Sequence, residues 1–346
     1  MPLPSPARIA VLGAGLIGRR HVEHVVACSD AVLAAIADPT PAARELADKH
    51  GVRWFADIGA LLEAGRPDGV IVATPNALHV EHALAAIAAG IPVLVEKPLA
   101  DTLEGAERLV AAAEVAGVPL AVGHHRRHNP MIREARRLVE EGRLGRLVAA
   151  HSFFWLMKPD DYFDVPWRRE AGAGPVLINL SHDIDLMRFL CGEVAAVQAM
   201  DSRAVRGNAA EESCVITLRF ENGALGTITL SDTVVAPWSW EHTTGENPVY
   251  PQTGETCYFL AGTEGSLSIP KLELWCNPAR KSWWEPFEVT RLVAPKADPL
   301  PLQIAQFVRV IRGEEAPLVP GREGLAAMRV IDAVKRAVRS GETVRL

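Results

Sequence analysis

The feature that most constrains this chain is a glycine-rich turn near its start. Gly13, Gly15 and Gly18 have the spacing G-x-G-x-x-G, directly after the apolar run Ile9–Leu12 and before a helix-like segment. The first glycine permits a tight turn, the second lets the backbone approach a pyrophosphate, and the third lets helix and strand pack closely. The free N–H groups at the start of such a helix bind phosphates. The turn therefore predicts a dinucleotide-binding βαβ unit, in which Leu16 and Ile17 also contact the cofactor.

Asp38 indicates which dinucleotide this unit binds. It ends the second apolar run and stands 20 residues after Gly18, where a carboxylate binds the ribose hydroxyls of the adenosine half. A carboxylate there repels the 2′-phosphate of NADP, and no arginine follows it directly in the sequence. NAD is therefore the expected cofactor and NADP the less favoured one. An alternative role for Asp38 is to cap the helical segment that follows it.

Residues 8 to 123 alternate between short apolar runs and helix-like segments. The apolar runs begin at Ile9, Val32, Gly69, Val93 and Pro119. Uninterrupted apolar strands separated by helices are typical of a parallel sheet that is buried on both faces. We therefore predict an α/β protein whose residues 1–123 form a Rossmann domain with a doubly wound parallel sheet.

The second half of the chain has the pattern of antiparallel strands. Ser213–Phe220 and Ala224–Ser231 flank an Asn-Gly pair, which is a strong hairpin signal. Residues 232–256 are rich in Pro, Gly, Thr and Trp and are predicted to form a long loop. We predict that residues 124–346 form one α/β domain with a large, mostly antiparallel open sheet, which binds substrate and mediates oligomerisation. Its further expected elements are strands at 147–155, 194–201 and around 257–275, and helices near Leu302–Ile311 and Gly324–Arg339.

Composition excludes several classes of protein. The chain has 346 residues, of which 49% are hydrophobic, and a net charge of −6, which argues against a disordered chain and a broad nucleic-acid binder. Its five cysteines are scattered without a C-x-x-C pair, so we expect reduced thiols, no metal site and a cytoplasmic location. The longest uncharged apolar run, Ala83–Val95, has 13 residues. A membrane-spanning helix needs ~20, and Met1–Arg8 has no signal-peptide pattern.

Two polar positions are candidates for the chemistry. Lys97 follows the apolar run Val93–Val95, at the edge of a doubly wound sheet where ligands bind, and Pro98 restricts its backbone. His182 lies in a helix-like segment that opens at Pro175, and Asn179 shares a face with it because the two are three residues apart. A surface lysine and a structural histidine are the alternative interpretations.

Together these motifs resemble the Gfo/Idh/MocA oxidoreductases, which include glucose–fructose oxidoreductase and inositol dehydrogenases. The resemblance covers nearly the whole chain. Its markers are Gly13–Gly18, Ala73–Asn76 with His79, Glu96–Pro98, Gly123–Pro130, Trp167-Arg168, Gly172–His182 and a closing pattern from Gln306 to Val344.

The resemblance implies hydride transfer from a secondary alcohol to a nicotinamide. Lys97 and His182 would hold the substrate hydroxyl, one of them acting as general base, with Asn179 completing the catalytic set. The family reads D-x-G-x-H before its histidine, and we interpret Asn179 as an amide in place of that carboxylate. The other residues implied to bind the cofactor, besides the glycine turn and Asp38, are Thr74, Pro75, Asn76, His79, Glu96, Lys97 and His125.

Aromatic and cationic residues near the second motif suggest the substrate. Flat apolar rings suit sugars and cyclitols, and arginines suit a carboxylate, so we expect a cyclic polyol, a sugar or a carboxylated ring diol. Hairpin packing and surface charge are the alternative explanation for these side chains. The predicted substrate-binding residues are Arg127, Trp155, Tyr162, Trp167 and Arg168.

Two other functions remain open at this point. One is a non-catalytic dinucleotide sensor, and the other is a glycoside-processing enzyme with tightly retained NAD. The only expected partners are a small-molecule substrate and further copies of the chain, with no nucleic acid and no membrane. The resemblance implies a homodimer or homotetramer that forms through the open face of the second sheet.

Overall fold

The computed structural model describes residues 5–346. The strands are β1 Ala7–Leu12, β2 Ala31–Ala37, β3 Arg53–Phe55, β4 Gly69–Val72, β5 Val93–Val95, β6 Leu120–Val122, β7 Leu147–Trp155, β8 Val194–Ser202, β9 Ser213–Phe220, β10 Leu225–Ser231, β11 Tyr258–Gly262, β12 Ser266–Ile269, β13 Glu273–Cys276, β14 Glu288–Arg291 and β15 Val344–Arg345. The helices are α1 Leu16–Ala27, α2 Pro41–His50, α3 Ile58–Ala64, α4 His79–Ala88, α5 Leu103–Ala116, α6 Pro130–Glu140, α7 Pro175–Ile178, α8 Leu180–Cys191, α9 Trp240–Thr244, α10 Pro299–Ile311 and α11 Gly321–Ser340.

The chain divides into two compact units. The first contains the residues up to His128 together with Pro299–Met328, and the second contains Asn129–Asp298 and Arg329–Leu346. The predicted division at residue 123 therefore differs in two respects. The first unit continues past residue 123 through a short 3₁₀ turn, His125–His128, and α10 returns to it because its apolar stripe packs on the first sheet. Sequence periodicity shows that α10 has an apolar stripe, but not which sheet covers it.

The first unit is built on a parallel sheet, as predicted. Its strand order is β3-β2-β1-β4-β5-β6, and every neighbouring pair is parallel. Side chains of a strand alternate between faces, so β1 serves two cores. Ile9 and Val11 pack in the core that includes Phe307 of α10, whereas Ala10 and Leu12 pack in the core that includes Leu109 of α5.

The order of strands in this sheet also locates a ligand crevice. From β1 the strand order proceeds to β3 on one side of the sheet, and from β4 it proceeds to β6 on the other side. The strand order therefore reverses between the neighbouring parallel strands β1 and β4. In open parallel sheets, ligands bind beyond the carboxyl ends of the strands at such a switch point. The glycine turn follows β1 there, and residues 73–76 follow β4.

The second unit is built on a mixed, mostly antiparallel sheet. Its order is β14-β13-β12-β11-β7-β10-β9-β8-β15, and among the described residues only the β7–β10 pair is parallel. The Asn-Gly hairpin joins β9 to β10 in antiparallel register, with Gly223 at φ 88°. On β9, buried and exposed side chains alternate, so one face is covered and the other is open.

Two segments of the second unit are more structured than the sequence pattern indicates. The segment that opens at Pro175 is two helices, α7 and α8, divided at Asn179. The predicted loop 232–256 contains α9, which the side chain of Ser239 caps by accepting from the His242 N–H at 3.2 Å.

Two sequence expectations concern the membrane. Within residues 5–346, no helix is both long and apolar enough to cross a bilayer. A second expectation is that Met1–Arg8 has no signal-peptide pattern. The first four residues of this segment lie outside the described residues.

Candidate active site

The glycine turn has the backbone shape that a pyrophosphate requires. Gly13 has φ +89°, and a Cβ there would lie 2.4 Å from the carbonyl oxygen of Ala73. A Cβ on Gly18 would lie 2.0 Å from the carbonyl oxygen of Gly13, so neither position admits a side chain. Gly15 caps α1, and a Cβ built on it meets no other described atom within 4 Å beyond its neighbours in the chain. The space beside Gly15 and the start of α1 therefore fits a phosphate group.

Asp38 binds the glycine turn directly. Its Oδ2 accepts the Ala14 N–H at 2.9 Å, and its Oδ1 accepts the backbone N–H and the hydroxyl of Thr40 at 2.8 and 2.6 Å. Burial raises the pKa of Asp38, but the hydrogen bonds from Thr40 and Ala14 outweigh it, and the net pKa lies below its usual value. The carboxylate is therefore ionised at neutral pH. Because each oxygen can accept more than one hydrogen bond, capacity remains for ribose hydroxyls.

The backbone of Lys97 is hydrogen-bonded to a buried carboxylate, that of Glu96. Glu96 is 4% exposed; its Oε1 lies 2.7 Å from Nε2 of His21, and its Oε2 accepts the Lys97 backbone N–H at 3.1 Å. Burial raises the pKa of Glu96, but the hydrogen bond and charge of His21, with His125 and Lys97, lower it to about 2. Glu96 was predicted to contact cofactor, and the structure shows its carboxylate holding the backbone of Lys97 instead.

His79 connects the two loops that follow β4 and β5. Its Nε2 lies 2.9 Å from the carbonyl oxygen of Thr74, and its Nδ1 lies 2.9 Å from that of Pro98. Carbonyl oxygens only accept hydrogen bonds and a neutral imidazole has one N–H, so the buried ring donates to one of these two carbonyls, the choice depending on its tautomer. His79 therefore fixes the backbone around Thr74 and Lys97, which differs from the direct cofactor contact that was predicted.

Arg127, which was predicted to bind substrate, is paired within the first unit. Arg127 is buried in the 3₁₀ turn His125–His128, and its guanidinium pairs with Glu323 at 2.8 Å within the same unit. This pair satisfies the charge of Arg127 inside the protein. A substrate contact for Arg127 is therefore not supported by its placement.

The second unit places Asn179 beside a buried lysine. Nζ of Lys158 lies 3.2 Å from Oδ1 of Asn179 and 3.1 Å from Oδ2 of Asp232, and the lysine is 7% exposed. Asp232 also pairs with Arg206 at 2.6 Å. His182 begins the next turn after Asn179, and its backbone N–H donates to the Asn179 carbonyl at 3.3 Å.

Three of the predicted substrate residues lie next to this cluster. The Arg168 guanidinium lies 4.1 Å from the ring centroid of Tyr162, and Nζ of Lys158 lies 5.1 Å from the same ring. Trp167, 53% exposed, lies 5.7 Å from the Arg168 guanidinium. Burial raises the pKa of Tyr162, with Arg168 opposing and Asp232 adding to the effect. The structure thus brings Tyr162, Trp167 and Arg168 to one aromatic and cationic surface beside Lys158.

Trp155 lies elsewhere. On β7 its neighbours Phe154 and Ser152 face the buried side, and Ser152 pairs with Tyr258, whose hydroxyl donates to Asp183 of α8. Because side chains alternate along a strand, Trp155 lies on the opposite face from α8. There it packs against Trp238 with ring centroids 5.7 Å apart. This placement does not support the predicted substrate contact of Trp155.

Comparison with known proteins identifies the family. The family model described as an oxidoreductase family with an NAD-binding Rossmann fold matches residues 7–124, and the GFO/IDH/MocA C-terminal domain matches residues 132–268. A 1,5-anhydro-D-fructose reductase of Ensifer adhaerens is 30% identical over 98% of both chains. The chain belongs to the GFO/IDH/MocA family of oxidoreductases.

Two further similarities bear on cofactor and substrate. A 1-carboxy-3-chloro-3,4-dihydroxycyclohexa-1,5-diene dehydrogenase of Comamonas testosteroni is 34% identical over 58% of this chain and 51% of its own. The structure of the WlbA dehydrogenase of Bordetella pertussis, in complex with NADH and UDP-GlcNAcA, is 26% identical and covers 99% of each chain with a TM-score of 0.79. Membership in this GFO/IDH/MocA family confirms the predicted Rossmann fold, oxidoreductase activity and NAD.

The family motif also corrects one interpretation of the sequence. In D-x-G-x-H the carboxylate precedes the histidine by four residues, and in this GFO/IDH/MocA member that position is Ile178, not Asn179. An apolar side chain therefore replaces the carboxylate. Asn179 is an additional polar group, placed at the junction of α7 and α8.

Sequence reasoning missed His21 and Asp232 and left Lys158 unassigned. His21 lies on α1, three residues after Gly18, so the helix face that it occupies can be inferred from the sequence. Its partner Glu96 cannot, because it is 75 residues away in the chain. Lys158 and Asp232 each follow the end of a strand, β7 and β10, which pair in parallel. The parallel pairing that brings these two ends together has no short-range signal in the sequence.

Proposed function

We propose that this chain is an NAD-dependent dehydrogenase that oxidises a secondary alcohol of a cyclic polyol, sugar or carboxylated ring diol. The observation that carries the proposal is the glycine turn, with open space beside Gly15 and with the ionised Asp38 accepting the neighbouring Ala14 N–H. That carboxylate favours NAD over NADP, because it repels a 2′-phosphate. When bound, NAD supplies the nicotinamide that accepts a hydride.

The catalytic roles rest on Lys97 and His182. Lys97 and His182 bind the substrate hydroxyl, and one of them removes its proton as general base. The ammonium of Lys97 stabilises the developing negative charge on that oxygen. The backbone of Lys97 is fixed by Glu96, which supports a role that requires accurate placement.

Among the three substrate classes, we favour the carboxylated ring diol. Lys158, Arg168 and Tyr162 form a cationic and aromatic surface in the unit that carries His182. Planar rings stack on such a surface, and carboxylates pair with its cations. The name of the relative from Comamonas testosteroni describes a carboxylated dihydroxycyclohexadiene, which agrees with this preference.

We also propose that the chain acts in the cytoplasm as a homodimer or homotetramer. The cysteines at positions 28, 191, 214, 257 and 276 are all free. The open face of the second sheet exposes Met200, Val215, Phe259 and Trp275, with 78% exposure at Met200. Apolar patches of this kind mark interfaces, and a second copy of the same sheet is the partner we propose.

The test is a screen for reduction of NAD, followed at the nicotinamide absorbance, across cyclitols, aldoses and carboxylated ring diols. We expect turnover with at least one class and a preference for NAD over NADP. Purified protein that retains NAD through dialysis and reduces none of it in net turnover would favour the glycoside-processing enzyme. Tight NAD binding with no oxidised alcohol at all would favour the sensor.

A further inference from the structure

Lys158 is a buried cation whose neighbours limit what it can do. Its ammonium contacts Asn179, Asp232 and the ring of Tyr162. Asp232 is shared with Arg206, so one carboxylate faces two cations. Ile178 supplies no further negative charge at the position where the family has a carboxylate. The ion pair between Lys158 and Asp232 is therefore shared with Arg206 and is not exclusive to the lysine.

The contact with Lys158 also fixes the orientation of Asn179. An ammonium group only donates hydrogen bonds, so the atom of Asn179 that faces Lys158 is its carbonyl oxygen. The two amide N–H donors consequently point away from the lysine. Asn179 is half-buried at the start of α8, one turn before His182, which is one of the two candidate general bases.

We propose that Asn179, oriented by Lys158, binds a carboxylate of the substrate through its amide N–H donors. This inference rests on the proposed dehydrogenase function and specifies the substrate group that is recognised next to His182. A pair of N–H donors requires an acceptor, and a carboxylate is a stronger acceptor than a neutral hydroxyl or amide. Lys158 acts as a positioning residue, and its positive charge favours the same anionic group.

The test measures binding, so that it does not depend on turnover. Two ring probes that differ only in the group at issue are 3,4-dihydroxybenzoate and 3,4-dihydroxybenzamide. Their dissociation constants would be measured by titration calorimetry on the NADH-loaded protein, for the native chain and for Asn179→Asp, Lys158→Met and the control Lys296→Met. Lys296 is an exposed lysine of the same unit, so its loss tests for general charge effects.

Each variant has a distinct expected result. The native chain and Lys296→Met should bind the benzoate about 10-fold more tightly than the benzamide or better, from one hydrogen bond to a charged group. In Asn179→Asp the new carboxylate pairs with Lys158 and offers only acceptors, so benzoate binding should weaken by about 10- to 100-fold and benzamide should become the preferred probe. In Lys158→Met the amide is free to rotate, and the preference should fall towards unity.

The results separate this inference from the proposed function. An equal benzoate preference in the native chain, Asn179→Asp and Lys158→Met overturns the inference, even if the native enzyme oxidises neutral polyols. A native chain that binds neither probe but turns over a neutral polyol overturns it as well. If the preference reverses as expected while no alcohol reduces NAD, the carboxylate site stands and the proposed dehydrogenase function fails. Should Lys158→Met not fold, Asn179→Asp decides alone, since its new charge is paired.

Discussion

The pair of Glu96 and His21 makes a quantitative prediction for the variant Glu96→Gln. The pKa of Glu96 is lowered from 4.5 to about 2 in the folded protein, although burial alone raises it. A pKa shift of this size, at ~1.4 kcal/mol per unit, corresponds to about 3 kcal/mol of stabilisation of the ionised form. Glutamine resembles the protonated form in shape and charge. We therefore expect Glu96→Gln to lower the free energy of unfolding by about 3 kcal/mol at pH 7.

The pH dependence of this loss follows from its direction. Because the folded pKa lies below the unfolded one, the stabilisation is fully present above pH 4.5 and is lost as the pH falls towards 2. Urea unfolding of the native chain and of Glu96→Gln between pH 7 and pH 3 measures the difference directly. We expect that difference to be constant from pH 7 to about 5 and then to shrink.

A control and a refuting outcome complete this experiment. Glu63→Gln changes an exposed carboxylate on α3 of the same unit and should leave stability within about 0.5 kcal/mol of native. A loss in Glu96→Gln that is the same at pH 7 and pH 3 would show that packing, not charge, is responsible. A loss below about 1 kcal/mol at pH 7 would show that burial cancels the benefit of the pair with His21.

Three further predictions concern cofactor, chemistry and assembly. Asp38→Ala should weaken NAD binding by about 10- to 100-fold and reduce the discrimination against NADP. Fluorescence titration with each cofactor measures the two affinities. An unchanged ratio of these affinities would limit the role of Asp38 to holding Ala14 and Thr40. Lys97→Ala and His182→Ala should each lower kcat by about 10²–10⁴-fold with little change in NAD affinity, the double variant being little worse than the poorer single one; near-native kcat in either single variant removes that residue from the mechanism. Phe259→Glu should dissociate the oligomer in sedimentation velocity, whereas the exposed Val115→Glu should not, and an unchanged sedimentation coefficient for Phe259→Glu would exclude the open sheet face as the interface.

The sequence predicted the architecture well because its signals are local. The spacing from Gly13 to Gly18, the uninterrupted apolar strands and the Asn-Gly hairpin each act over a few residues, and the structure confirms all three. The return of α10 to the first unit was not predictable in the same way. From the sequence alone, the apolar stripe of α10 is compatible with packing on either sheet. The structure shows Phe307 of α10 packed in the core that contains residues of β1.

The site was predicted less completely, because its positioning contacts are long-range. The family resemblance implied that Glu96 and His79 bind the cofactor, but the structure uses them to hold Lys97 and the neighbouring loops. The contact between His21 and Glu96 spans 75 residues, and a helical pattern gives no sign of it. Side chains that touch substrate and side chains that hold those residues have the same polar chemistry, so residue type alone does not separate them.

The second unit shows how a single partner changes the meaning of a residue. In the sequence, Asn179 is an amide that could either donate a hydrogen bond to a ligand or accept one from it. Once Lys158 contacts its oxygen, only the donors remain for a ligand, and an acceptor group is selected. Because the cation that fixes this choice follows β7 and its counter-ion follows β10, the specificity proposed here depends on the parallel pairing of those two strands.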